Sequence, residues 1–129
     1  MRNAALLALP LLFAGPPALA TVGMICSPAG GRGPQLSLAI GHGPAGGIGS
    51  ASLRESASAG WRSTSGKNPP LILAQGWIDR ELLMVDLADS RGLRRELQLR
   101  ARFEKPQGHS ASGTMAWRGR TWRVRCVQD

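Results

Sequence analysis

The sequence predicts an all-β fold: a small single-domain antiparallel barrel or sandwich of about seven to nine short strands. Three observations carry this expectation. Apolar and polar residues alternate with period two in several segments. Loops rich in Gly, Pro and Ser recur between those segments, at Ser27–Pro34, Gly41–Gly47, Ser65–Pro70 and Pro106–Ser110. Many short alternating runs with turn-rich connections are the pattern of small barrels and sandwiches. The third observation is a C-terminal hairpin whose register sorts apolar from basic side chains.

The chain opens on a basic Met1-Arg2-Asn3, an apolar run from Ala4 to Ala14, a break at Pro16-Pro17, and Ala18-Leu19-Ala20. These are the parts of a secretory signal peptide with a small-residue cleavage site. The run is shorter than the roughly 20 apolar residues needed to cross a bilayer as a helix, so a membrane-spanning segment is not expected. Bulky Ile25 before Cys26 argues against a lipoprotein signal. Residues 1–20 are therefore expected to be removed, leaving 21–129 as one all-β domain in the periplasm or outside the cell.

An exported chain meets an oxidising environment, where thiols pair. Only two cysteines exist, Cys26 and Cys126. A disulfide between them would close a loop of about 100 residues, worth about 4–5 kcal/mol in the chain-entropy model. Two free thiols or a two-thiolate metal site are the alternatives; the disulfide is expected.

The strands follow in order. Val22–Cys26 begins the domain. Gln35 to Ile40 places Leu36, Leu38 and Ile40 on one face; Ile48–Arg54 and Trp61–Thr64 follow. Leu71–Ile78 and Leu82–Ala88 form a hairpin about Asp79-Arg80. That turn lacks the Gly or Asn of a primed type, so a longer loop is an alternative; with a two-residue loop, Ile72, Ala74 and Ile78 join Leu83, Val85 and Leu87 inside, and Leu73, Trp77, Leu82 and Met84 take the reverse face. An apolar reverse face implies burial on both sides, the expectation here, or an exposed patch for a partner. From Arg94 to Glu104, Leu97, Leu99, Ala101 and Phe103 face inward, and Arg100 and Arg102 face out. A helix accounts for only part of that stretch. Ser112–Trp117 and Thr121–Val127 flank Gly119-Arg120, which suits a type II′ turn. In that register Trp117 faces Trp122, Met115 faces Val124 and Gly113 faces Cys126, while Arg118, Arg123 and Arg125 point outward.

Charge is concentrated at the C-terminal end. The whole chain carries +8, and loss of Arg2 lowers this to +7. Residues 21–90 balance five basic against five acidic groups; residues 91–129 set ten basic groups against Glu96, Glu104 and Asp129. Arginine accounts for 14 of the 16 basic residues, a bias that a GC-rich genome also produces.

Motifs of catalysis fail on context. Gly41-His42-Gly43-Pro44-Ala45-Gly46 matches a dinucleotide fingerprint, yet no helix pattern follows and no acid lies about 20 residues on. Gly60 to Asn68 misses phosphate-loop spacing by one residue and ends in Asn. No Gly-x-Ser-x-Gly elbow occurs. His42 and His109 remain as bases for a site dispersed in the loops, so a small secreted hydrolase is the alternative function. Met24, Met84, Met115, His42 and His109 show no ligand-like spacing, and neither a metal nor a cofactor is expected.

In outline, a small exported barrel with a disulfide joining its ends resembles the periplasmic inhibitors of C-type lysozymes. The chain has no tyrosine and lacks the Ser/Gly-rich loop followed by Tyr that marks them, and a basic face suits a basic lysozyme badly. That family is not assigned.

What remains is a basic face of Arg100, Arg102, Arg118, Arg123 and Arg125. Guanidinium groups suit bidentate contact with phosphate and carboxylate. The expected function is a non-catalytic binding or structural module of the cell envelope. Its partners would be an anionic component (lipid phosphate, lipopolysaccharide or acidic glycan) or an acidic protein. Nucleic acid is excluded by export, despite a basic balance that invites it.

Overall fold

The computed structural model describes residues 21–41, 47–106 and 108–129; the expected signal peptide lies outside them. Nine antiparallel strands form one sheet. They are β1 (Thr21–Pro28), β2 (Gln35–Gly41), β3 (Ile48–Arg54), β4 (Arg62–Ser63), β5 (Leu71–Ile78), β6 (Leu82–Asp89), β7 (Arg95–Phe103), β8 (Ser110–Trp117) and β9 (Arg120–Gln128). The order across the sheet is β4-β3-β2-β1-β9-β8-β7-β6-β5. Consecutive strands pair as hairpins except β4 and β5, which form the two edges, and one non-local pairing, β1 with β9, joins the two ends of the domain.

The sheet curls until β3 and β5 touch through side chains, with Ile48 over the backbone of Gly76. It is a nearly closed barrel. The interior is the apolar half of each alternating strand: Leu36, Leu38, Leu53, Leu83, Val85, Leu97, Leu99 and Met115 are all fully or almost fully buried. Burying one such side chain contributes about 1.5–3 kcal/mol.

Cys26 and Cys126 lie directly opposite each other on β1 and β9, with Cα atoms 3.9 Å apart, and are joined by a disulfide. The bond lies inside the barrel wall, where both residues are fully buried.

The edges of the open seam are blunted. β4 has two residues, and β5 carries a bulge at Ala74 between the pairs Leu73↔Leu87 and Gln75↔Asp86. Short or bulged edges resist pairing with other chains.

That bulge corrects the expected faces of β5. Ile78 packs against the core as expected, but the extra residue reverses the alternation before it. Leu73 packs on the core and Leu71 is fully buried, while Ile72 turns outward and is 36% exposed. Two-sided burial is also corrected. Trp77, on the outer face, is 53% exposed, because β5 is an edge strand with no layer outside it.

The β8–β9 turn is corrected by one residue. Trp117 pairs with Arg120, so the loop is Arg118-Gly119, with φ of 48° and 75°. Positive φ at both central positions is the type I′ pattern. Arg118 is stabilised there by a guanidinium lying 4.6 Å from the centroid of the Trp117 ring and an ion pair of 2.9 Å with Glu55. Met115 therefore faces Trp122, Gly113 faces Val124 and Ala111 faces Cys126. The register differs from the expected one by two residues, so every side chain keeps its face.

Candidate functional site

The outer faces of β7, β8 and β9 align four of the five expected arginines in two rows. Arg100 is opposite Thr114, which is opposite Arg123; Arg102 is opposite Ser112, which is opposite Arg125. Each hydroxyl residue thus sits between two guanidinium arms. Strand spacing of about 4.8 Å puts the flanking Cα atoms of each row roughly 10 Å apart. Two long side chains can converge over that gap on one anion.

Gly113, between the two hydroxyl residues in sequence, brings the strands together. A Cβ built there would overlap the Arg100 carbonyl oxygen and lie 2.6 Å from the Ala101 Cα. Shallow depressions of about 310 and 530 Å³ flank this point. One reaches Leu82, Met84, Arg100 and Arg102, and the other reaches Ala29, Arg123 and Arg125.

The four arginines differ in what restrains them. Arg100 donates to both oxygens of Asp86, at 2.8 and 3.3 Å, and to the Leu99 carbonyl at 2.7 Å. Asp86 is the buried carboxylate of the described residues, and Arg95 approaches it at 3.9 Å. Arg102 lies 3.9 Å from Glu81, with both side chains more than two-thirds exposed. Arg125 lies 3.7 Å from Glu104, whose oxygens accept the Ser110 and Ser112 hydroxyls. Exposed pairs of this kind contribute about 0–1 kcal/mol and exchange readily for another anion. Among the described residues, no carboxylate lies within 4 Å of Arg123.

Arg118 is not part of the cluster. It occupies the β8–β9 turn at one end of the barrel, bound to Glu55 and stacked on Trp117. Parity alone placed it outward with Arg123 and Arg125; the type I′ turn removes it from the sheet.

The histidine alternative finds less support. His109 Nδ1 hydrogen-bonds the Gln128 Oε1, and His42 lies outside the described residues. His109, Gln128 and Asp79 rim an apolar cavity of about 240 Å³ lined by Val22, Met24, Ile40, Ile78 and Phe103. The Asp79 carboxylate is occupied by the turn that holds it: Oδ1 accepts the Glu81 and Leu82 amides at 2.7 Å each, and Oδ2 accepts Trp77 Nε1 at 3.0 Å. Backbone donation from Leu82 and Glu81, then the indole, lowers its pKa below the ordinary 3.8. Among the described residues, no three His, Cys, Asp or Glu side chains form a metal-sized cluster.

Sequence reasoning missed Asp86. Its signal was visible as one acid inside the apolar run Leu82–Ala88, where a buried charge needs a partner. It also missed three arginine–tryptophan stacks: Arg54 on Trp61, Arg118 on Trp117 and Arg120 on Trp122. Compared with known protein families, curated proteins and solved structures, the chain matches none of them.

Proposed function

We propose that this protein is an exported, non-catalytic binding module of the cell envelope that holds phosphate-bearing anionic material on the outer face of β7–β9. The observation that carries the reading is the pair of rows Arg100–Thr114–Arg123 and Arg102–Ser112–Arg125. Guanidinium groups bind phosphate in bidentate fashion, and a hydroxyl between two of them adds a short donor at the centre; in the second row the phosphate would displace Glu104 from Ser112 and Arg125. The leader-like N-terminus supports export, and the Cys26–Cys126 disulfide is compatible with it.

The test is binding of lipopolysaccharide and of vesicles containing phosphatidylglycerol, against phosphatidylcholine vesicles as the neutral control. Binding to the anionic surfaces is expected, weakening steeply with salt because screening acts over about 8 Å at physiological ionic strength. The double substitution Arg123→Glu with Arg125→Glu should abolish it without unfolding the protein, since both side chains are exposed. The same change at Arg32 and Arg62 should matter much less. A double variant that binds like the parent overturns the reading.

A further inference from the structure

The two rows do not stop at the arginines. Arg100 is opposite Met84, and Met84 is opposite Trp77; Arg102 is opposite Leu82. One line of side chains therefore runs Trp77–Met84–Arg100–Thr114–Arg123 across five strands, roughly 19 Å at the usual strand spacing. The line beside it runs Leu82–Arg102–Ser112–Arg125. On the outer face the apolar side chains Trp77, Met84 and Leu82 of β5–β6 thus adjoin the arginines of β7–β9, with Gln75 and the Arg100-bound Asp86 beside them.

We infer that this face is an interfacial membrane-docking surface for an anionic leaflet. Trp77, Met84 and Leu82 enter the boundary between headgroups and acyl chains, and the arginines hold phosphates alongside. The inference rests on the anion-binding reading above and extends it to a lipid surface as the occupant.

Three observations favour that occupant. Trp77 is 53% exposed on an edge strand, and its ring is held by Nε1 donating to Asp79 at 3.0 Å. A presented indole with apolar neighbours is the anchor used at membrane interfaces. Charge complementarity favours the lipid: Arg123 has no carboxylate within 4 Å among the described residues, and the exposed pairs Arg102–Glu81 and Arg125–Glu104 can exchange for lipid phosphate. A second copy of this chain is a poor occupant. A two-fold contact places the same patch against itself, and over the whole of this face it would set arginines against their equivalents or against the apolar half. A soluble polyanion would engage the arginines and leave the apolar half in water.

Vesicles of phosphatidylglycerol and phosphatidylcholine, with and without brominated acyl chains, would be compared with free polyphosphate, using the full-length domain. Brominated lipid is expected to quench part of the tryptophan fluorescence, and Trp77→Phe should remove most of that quenched part. Trp77→Ala with Met84→Ser should weaken vesicle binding about tenfold and leave polyphosphate binding unchanged. An unaltered unfolding midpoint in that variant separates lost insertion from lost fold. Polyphosphate binding that depends on Arg123 and Arg125, with no quenching by brominated lipid, overturns membrane docking while leaving the anion site standing. Indifference of both ligands to Arg123→Glu/Arg125→Glu removes the anion site itself, and the docking inference with it. A dimer in sedimentation that dissociates on Trp77→Ala would assign the patch to a second copy and also overturn the inference.

Discussion

Arg100 closes over Asp86 from the adjacent strand, both guanidinium Nη atoms meeting both carboxylate oxygens, and so one arginine of the proposed anion-binding face is held by the sheet itself. The partners are unequal: the Asp86 side chain is 4% exposed and that of Arg100 36%. Removing one partner of a fully buried pair costs about 3–5 kcal/mol. Access of water to Arg100 reduces that, and Asp86→Ala should cost about 1–3 kcal/mol in urea unfolding. The same variant frees Arg100, so phosphatidylglycerol vesicles should bind several-fold more tightly. Unchanged affinity would mean that Arg100 serves the wall and not the ligand.

The disulfide joins the two strands that close the chain on itself. In the chain-entropy model, a bridge across 100 residues contributes about 4.7 kcal/mol. Reduction or Cys126→Ser should lower stability by about 2–5 kcal/mol. If the chain is exported as proposed, its intact mass should correspond to Thr21–Asp129 less two hydrogens. A quantitative yield of free thiol from a non-reducing preparation contradicts this.

Gly113 lies against the backbone of β7, and Gly113→Ala puts a methyl into the backbone between Arg100 and Ala101. Overpacking of this kind costs about 1–3 kcal/mol. Displacing β7 from β8 also spreads Arg100 and Arg102 away from Thr114 and Ser112, so phosphate affinity should fall along with the unfolding midpoint. A stable variant of unchanged affinity would show that the rows tolerate a wider spacing.

The outward face of these arginines was legible because the period-two alternation runs through all of 94–104, where a helix accounts for only part; their pairing into rows was not, because it depends on the hairpin register. Arg100 and Arg102 face outward for the same reason that Leu97 and Leu99 are buried. The hairpin shows the limit of that argument. A one-residue slip would have put Met115 and Cys126 outside, but a two-residue slip keeps every face. Face-sorting therefore could not choose between Gly119-Arg120 and Arg118-Gly119. The observed turn brings its arginine to a partner distant in sequence, Glu55, which no local pattern reveals. The bulge at Ala74 was hidden for a similar reason. Near it Ile48 packs over Gly76 at the seam, a contact between strands that are not paired and that alternation cannot show.

The turn can be tested at Gly119, whose φ is 75°. A β-branched side chain is strained there, and Gly119→Val should destabilise by about 1–3 kcal/mol. Because the strained residue lies outside the rows, phosphate binding by the folded variant should be unchanged. Neutrality in urea unfolding would imply that the hairpin adopts another turn.

Asp79 should give the domain an acid-sensitive corner. Its carboxylate accepts the Leu82 and Glu81 amides and the Trp77 indole, and these bonds lower its pKa in the folded chain. A carboxyl with a depressed folded value stabilises the fold above its unfolded value, and that stability is lost as pH falls through the folded value. The contribution is therefore complete at pH 7 and fades below about pH 4. Asp79→Asn keeps an oxygen for the two amides and has no charge to lose, so it should lower the urea midpoint at pH 7 and flatten its fall between pH 5 and pH 2.5. Asp89, also lowered by backbone amides that outweigh its desolvation, is untouched by the substitution, so the difference between the two curves isolates Asp79. Emission from Trp77 should report the same event, because protonation weakens the bond that orients the indole. Parallel curves for the parent and Asp79→Asn would show that the turn stands without the charge.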